Sequence, residues 1–336
     1  MGRCSDERRC RRSSAPLIGA NGAGLNVKEI VDTDASDTSR PVGLQVAAVV
    51  LTYNARPSLE RCLDALAAQS TPVGAIQVTD NAGATPVDDL VATYDDATVT
   101  RLPQNLGPAG GYAAALSAFL ESGFEWAWVM DDDCVPVPHA LRDQLALATP
   151  GRVVLATVQW AETGETVKGN GWWGALIPRE VVERVGVPNA ELFWWTEDTE
   201  YLQWRIPQAG FDVVWTDQPV SQVSRGRPDA SKPAWKYYYE ARNQVFHRLY
   251  VQRTSATPTP RHLKLRVRAW RAGRSVAKLA ARVTLREHEH RTKKLAMVAR
   301  GTLDGVRRRL GHTVVADNPD RPMVPAESET TREARP

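Results

Sequence analysis

Three consecutive carboxylates, Asp131, Asp132 and Asp133, follow directly on the apolar run Trp126-Ala-Trp-Val-Met and precede Cys134-Val-Pro. Adjacent like charges repel, so the end of a buried strand is an unfavourable place to collect them unless a cation is bound there. Hard divalent ions take oxygen ligands, and Mg²⁺ or Mn²⁺ is commonly held by one or two carboxylates together with substrate phosphates. Residues two apart on an extended segment share a face. Asp131 and Asp133 are therefore the candidate metal ligands, with Asp132 pointing elsewhere. A solvated acidic turn or a helix cap is the plainer account of the same three residues. A second group has a chemical use of its own. Trp172, Trp173, Trp194 and Trp195 could all be core residues, yet sugars stack their apolar faces on aromatic rings, and these four lie near acidic residues.

The elements that must position these side chains are legible upstream. Residues 44–54 form a continuous Val/Ala/Leu run that ends in Thr52-Tyr53-Asn54, the pattern of a strand buried on both faces in a parallel sheet. Residues 58–69 set Leu59, Cys62, Leu63 and Leu66 on one helical face behind a candidate N-cap, Ser58. Residues 75–81 read as a strand ending in Asp80-Asn81, and 98–102 as a short third strand. Successive strand-helix units imply right-handed crossovers and a ligand crevice at the strand tips. Asn105-Leu-Gly107-Pro-Ala-Gly110-Gly111-Tyr112 opens a helix that continues over 113–120. Its glycines would let backbone approach a ligand and its N-terminus would favour phosphate, although a tight loop before a helix explains them equally. Beyond the aspartates, helices are expected over 140–148, 179–185, 199–209 and 234–250, and strands over 153–158 and 213–215. Residues 169–178 place Trp172 and Trp173 among glycines as exposed-looking indoles.

Length and composition suit one large domain with appendages. Residues 1–42 and 316–336 lack apolar periodicity and are expected to be disordered. Charge is uneven: residues 251–312 hold 17 Lys/Arg and 3 Asp/Glu in a chain of net charge +3, so the body is acidic. Within 261–300, Leu263, Val267 and Trp270 form one apolar stripe and Val276, Leu279 and Val283 another, opposite Lys and Arg. Such a helix suits an anionic membrane surface, here through residues 261–312, and suits equally a helix packed on the body with a solvated basic face. No recognition fold accompanies the charge, so no nucleic acid partner is expected. The four cysteines show neither metal spacing nor disulfide density, as expected of a reducing cytoplasm. The N-terminal stretch is not expected to act as a signal peptide, and no apolar run is long enough to span a bilayer, so membrane contact is expected to be peripheral.

Taken in order, Thr52-Tyr53-Asn54, Asp80-Asn81, Asn105-Leu-Gly107, Asp131-Asp132-Asp133 and Trp195-Thr-Glu197-Asp198 resemble the landmarks of the inverting glycosyltransferases of family two. Leu106-Gly-Pro-Ala-Gly-Gly111, Trp128-Val-Met-Asp-Asp-Asp133, Trp173-Gly-Ala-Leu-Ile-Pro178 and Tyr238-Tyr-Glu-Ala-Arg-Asn243 look like those of the galactofuranosyltransferases and rhamnosyltransferases that build bacterial cell-wall glycans on polyprenyl-diphosphate lipids. The resemblance implies an α/β, GT-A fold over 43–250, a Rossmann-like, mostly parallel sheet flanked by helices, with a basic helical extension over 251–315. It implies a UDP- or dTDP-linked sugar donor, Mn²⁺ or Mg²⁺ on Asp131 and Asp133, and a lipid-linked glycan acceptor at the inner face of the cell membrane. Tyr53, Asn54, Arg56, Asp80 and Asn81 would line base and ribose; Thr52, Asn105, Gly107 and Asp132 belong to the same donor site. Trp172, Trp173, Trp195 and Glu197 would bind substrate. Asp198 maps to the catalytic base, with the like charge of Glu197 raising its pKa. Many relatives carry a metal-binding His beyond the base, and Val220-Ser-Gln222-Val-Ser224-Arg225-Gly offers none. That leaves Gln222, Ser224, or Asp and diphosphate alone, and Arg225 and Arg227 as candidate contacts to diphosphate or lipid. A non-catalytic nucleotide- or glycan-binding scaffold is the alternative to an enzyme. A nucleotidyltransferase is disfavoured because no Gly-rich, Lys/Arg-bearing triphosphate loop precedes the first helix.

Overall fold

Val46–Thr52 (β1) is buried along its whole length, as a non-alternating apolar run must be when helices cover both faces of a sheet. The computed structural model describes residues 45–224, 232–253 and 262–315. The expected disordered tails, Arg225 and Arg227 lie outside the described residues. α1 (Arg56–Ala67) buries Leu59, Cys62, Leu63 and Leu66, the four residues its periodicity selects. The chain continues through β2 (Ala75–Asp80), α2 (Asp88–Val91), β3 (Ala97–Arg101), α3 (Gly107–Glu121) and β4 (Trp126–Asp131). β1 pairs in parallel with β2 and β4, and β2 with β3. Register sets Thr52 beside Asp80 and Leu51 beside Asp131. Three strand tips therefore share one edge.

The second half mixes directions. It comprises β5 (Cys134–Pro136), α4 (Ala140–Leu145), β6 (Arg152–Trp160), β7 (Thr166–Lys168), β8 (Trp173–Pro178), α5 (Arg179–Val185), α6 (Glu197–Glu200), a π turn (Tyr201–Arg205), α7 (Ile206–Gln208) and β9 (Asp212–Val223). The strand order is β3-β2-β1-β4-β8-β6-β9-β5, with β7 beside β6. β8 runs antiparallel to β4 and β6, while β6 and β9 are parallel. Two expectations change here. Residues 169–178 contain β8, a buried strand near the middle of the sheet. The strand expected over 213–215 runs on to Val223, because β6 and then β5 supply partners for its distal half. Opposite β4, the register skips Gly174, which takes φ +97°, so β8 is bulged beside the tip that carries Asp131.

Alternate β1 residues face two cores. Val46, Ala48 and Val50 pack with α1 and Leu141 of α4; Ala47 and Val49 pack with Tyr112, Leu116 and Phe119 of α3 and with Trp172. Cys62 and Cys134 are buried free thiols.

α8 (Ala234–Phe246) continues into a π turn (His247–Val251), and α9 (Leu265–Arg286) and α10 (Arg291–Val306) fold back on it. Leu279 and Val283 of α9 and Val298 of α10 close on Tyr237 and Ala241 of α8. A Cβ on Gly301 or Gly305 would lie 2.2 or 2.5 Å from the carbonyl oxygens of Tyr238 and Arg242, so only glycine permits this helix contact. The stripe Val276, Leu279 and Val283 is thus an inward packing face. Leu265 and Trp270 remain 63% and 62% exposed. Among the described residues no helix is long and apolar enough to cross a membrane.

Candidate active site

Asp131 ends β4 with its N–H donating to the Trp172 carbonyl at 2.7 Å, and the Tyr112 hydroxyl donates to its Oδ1 at 2.5 Å. Tyr112 is fully buried in α3 and stacks on Trp172 with ring centroids 4.5 Å apart. The Gly-rich segment thus supplies the phenol that aims Asp131. Burial, then the charge of Asp131, raises the Tyr112 pKa well above its ordinary value, so it remains a donor. Asp132 turns back to β1, where its Oδ2 accepts from the Thr52 hydroxyl at 2.6 Å and the Tyr53 N–H at 3.3 Å. Asp133 has a buried oxygen, Oδ1, without a hydrogen-bond partner. Burial is the leading cause that raises all three pKa values, Asp132 to about 6; the charge of Asp133 comes next for Asp131. An orphaned carboxylate oxygen beside a second crowded carboxylate has the chemistry to suit a hard divalent cation, which Asp131 and Asp133 would hold. Among the described residues, no group of three or more His, Cys, Asp or Glu is gathered as a protein-only metal cage. Gln222 sits in the ladder opposite Val135, and Ser224 donates to Glu162 at 2.6 Å; the charge of Glu162 in turn raises the Asp133 pKa.

The tip of β2 is engaged internally. Asp80 accepts from the Gly83 N–H at 2.8 Å and pairs with Arg101. Asn81 accepts from the Leu106 N–H at 2.9 Å and donates to the Gly107 carbonyl at 3.1 Å. Asn54, at φ +56°, accepts from the Ala84 N–H at 2.5 Å, and Asn105 from the Gly107 N–H at 2.7 Å. These bonds build a wall from β1, β2 and the start of α3. Arg56 leaves that wall for a bidentate surface pair with Asp89, both distances 2.7 Å. Gly107 has φ +67°, and a Cβ there would lie 2.0 Å from the Phe193 carbonyl oxygen, which also accepts from the Ala109 N–H at 3.2 Å. The backbone that approaches this glycine is the protein's own.

Phe193 leads into the second acidic pair. Phe193, Trp195 and Thr196 have φ of +59°, +73° and +79°, conformations that cost non-glycine residues on the order of 1–3 kcal/mol each and persist only when neighbours enforce them. α6 follows, with Asp198 Oδ1 accepting from the Thr199 N–H at 2.5 Å. A Cβ on Gly171 would lie 3.2 Å from Asp198 Oδ2, so this carboxylate rests on the turn whose next residue, Trp172, bonds Asp131. Asp198 contributes to the raised pKa of Asp131, and Asp131 to that of Glu197. The three form one electrostatic group. Burial pushes the Asp198 pKa up to about 6 against the Thr199 hydrogen bonds. The expected cause was repulsion by Glu197. Instead Glu197, 6% exposed, carries that penalty, raised well above its usual range by burial first and Asp198 second.

The indoles separate. Trp172, expected to be exposed, is 2% exposed and wedged between Tyr112 and Tyr201, because the strand that follows it is central to the sheet. Trp173 is half-buried, edge-on to Trp160 at 5.2 Å. Trp195 stacks on Trp194 at 5.0 Å, remains 43% exposed and has Lys232 Nζ 4.8 Å from its ring. Sequence reasoning missed the role of Tyr112, whose only signal is its place after Gly110-Gly111 at a helix start.

The mixed sheet thus carries aspartates at the tip of β4 whose charges act on the acids of the short helix α6. Residues 47–204, just under half of the chain, match the family model described as glycosyl transferase family 2, and the fold is GT-A. The galactofuranosyltransferase GlfT1 of Mycolicibacterium smegmatis is 29% identical over 200 residues, covering 49% of this chain and 66% of that protein. GlfT1 of Mycobacterium tuberculosis is 40% identical over 107 residues, covering 31% of this chain and 34% of its own length. The matched region thus spans 66% of one curated relative and 34% of the other. Two solved structures share the fold. TarS of S. aureus has a TM-score of 0.52 at 14% identity, covering 79% of this chain and 81% of that one. The mannosyltransferase PcManGT from Pyrobaculum calidifontis, in complex with GDP-Man and Mn²⁺, has a TM-score of 0.52 at 18% identity, covering 79% and 88%.

Proposed function

We propose that the chain is an inverting, metal-dependent glycosyltransferase that moves galactofuranose or rhamnose from a UDP- or dTDP-linked donor to a polyprenyl-diphosphate-linked cell-wall glycan at the inner face of the cytoplasmic membrane. The carrying observation is the electrostatic group of Asp131, Glu197 and Asp198, assembled from the tip of β4 and from α6. The galactofuranosyltransferase relatives support the sugar class. The GDP-Man and Mn²⁺ in one fold neighbour, and the UDP-GlcNAc in the TarS complex, support a nucleotide sugar and a divalent ion.

In this reading Asp131 and Asp133 would hold Mn²⁺ or Mg²⁺, which would supply Lewis-acid stabilisation of the departing diphosphate. The residues at the tips of β1 and β2 form the donor wall, and Tyr112 keeps Asp131 aimed. Asp198 takes the proton of the acceptor hydroxyl as its oxygen bonds the anomeric carbon and the bond to diphosphate breaks on the opposite face. A pKa of about 6 leaves Asp198 ionised near neutrality while making it a stronger base than an ordinary aspartate. Glu197, whose pKa is raised by burial and then by the charge of Asp198, lies beside the base as a candidate contact to the sugar. The open face of Trp195 suits the apolar face of a sugar.

Asp198→Asn tests the assignment. Transfer from the donor identified by Mn²⁺-dependent thermal shift should fall about 10²–10⁴-fold, the usual worth of a general base, with donor affinity unchanged. Turnover retained by this variant excludes Asp198 as the base. Donor binding without product from the unaltered chain under any acceptor favours the scaffold reading.

A further inference from the structure

Arg242 and Asn243 are fully buried on α8, and neither has a place in the reaction described above. Arg242 Nε donates to Asn243 Oδ1 at 2.8 Å, which orients the amide so that Nδ2 faces the segment before α6. Nδ2 then donates to the carbonyls of Leu192, Trp194 and Trp195 at 2.9, 2.8 and 2.7 Å. Arg242 Nη2 donates to the Leu192 carbonyl at 2.7 Å and Nη1 to the Gly311 carbonyl at 2.6 Å. From beyond α10, the Gly311 N–H donates to the Glu191 carbonyl at 2.7 Å, and His312 stacks on Phe193 with centroids 4.0 Å apart. With the Ala109 N–H on the Phe193 carbonyl, five consecutive carbonyls, 191 to 195, are held by groups from α3, α8 and the segment after α10.

We propose that Asn243, oriented by Arg242, is a positioning residue for Asp198, and that residues 311–314 complete the same clamp, so the C-terminal helices belong to the active site. The inference rests on Asp198 acting as the base. Phe193, Trp195 and Thr196 hold left-handed backbone that a free chain would abandon, and Asp198 lies two residues past Thr196. Tyr239, whose hydroxyl donates to the Val314 carbonyl at 2.8 Å, ties the closing segment back to α8. Arg242 has no substitute in lysine, because the contacts need a planar fork that serves Asn243, the loop and Gly311 at once. A base displaced by about 1 Å loses on the order of 10²-fold in rate without any change in its chemistry.

Asn243→Ala in the full chain tests this by two readouts. kcat should fall about 10- to 100-fold with donor KM within about threefold of the parent, because the donor wall is on β1, β2 and α3. Amide hydrogen exchange should accelerate over 191–200 and stay unchanged over β1 and β4. Faster exchange with an unchanged kcat overturns the positioning role and leaves Asp198 as base. Unchanged exchange over 191–200 overturns the clamp itself. Full turnover by Asp198→Asn overturns the base assignment and this proposal with it. Should Asn243→Ala fail to fold, His312→Ala, on the exposed edge of the clamp, carries the test with the same exchange signature and a smaller kcat loss; normal exchange and normal kcat there overturn the role of 311–314.

Discussion

An aspartate made basic by burial leaves a signature that does not depend on any substrate. Asp132 and Asp198 have pKa values raised from 3.8 to about 6, and Asp131, Asp133 and Glu197 are shifted in the same direction. A carboxyl whose folded pKa lies above its unfolded one stabilises the fold as the neutral acid. That contribution is complete below about pH 4 and is lost as pH rises through about 6. The metal-free protein should therefore melt several degrees lower at pH 7.5 than at pH 5, and Mn²⁺ should raise the melting temperature more at the higher pH; scanning calorimetry measures both. A flat profile would mean the carboxylates are not crowded. The acids themselves were legible in the sequence, since polar residues at the end of an apolar run mark a strand tip. Which neighbour perturbs which was not. Asp132 bonding Thr52, and the burial of Glu197 rather than Asp198 carrying the like-charge penalty, depend on contacts between segments far apart in the chain.

At the scale of elements, the buried face of α1 could be read from its periodicity, but its start could not: the helix begins at Arg56 behind Ala55, which places the candidate cap Ser58 inside it. Nor could β8. Trp172-Trp173-Gly174 has the composition of a loop, and a strand buried on both faces shows no alternation to betray it. The Gly-rich start of α3 suggested a ligand cradle, whereas at Gly107 the close partner is the Phe193 carbonyl. That contact makes a prediction. Gly107→Ala forces a left-handed residue to carry a Cβ and overpacks the loop before α6. The two penalties together should destabilise by on the order of 2–4 kcal/mol, read as a lower urea midpoint with an unchanged slope. Because the same loop leads to Asp198, and Asn81 and Asn105 bond Gly107 itself, kcat and donor affinity should both fall. A variant with parental stability would mean that the loop moves away freely, and the rigid path from α3 to α6 would be lost.

Across the whole molecule the basic charge of 251–312 and the acidic body are segregated, and the sequence left two uses for the basic helices open. The structure assigns the inner stripe of α9 to packing against α8, which removes Leu279 and Val283 from any external role. The outer face is different. Leu265 and Trp270 are exposed, Arg266, Arg274 and Lys278 surround them in sequence, and the Arg274 guanidinium lies 5.5 Å from the Trp270 ring centroid. An indole flanked by arginines suits the headgroup region of an anionic bilayer, where each basic residue contributes about 1 kcal/mol. The full chain should therefore co-sediment with phosphatidylserine-containing vesicles and not with phosphatidylcholine vesicles, and salt at about 1 M, where the screening length is about 3 Å, should release it. Arg266→Gln combined with Arg274→Gln should weaken binding by roughly tenfold or more, and Trp270→Ala should weaken it further with little change in melting temperature, since that side chain is 62% exposed. Equal partitioning onto neutral and anionic vesicles, or binding indifferent to salt and to these substitutions, would leave the basic face as solvated surface.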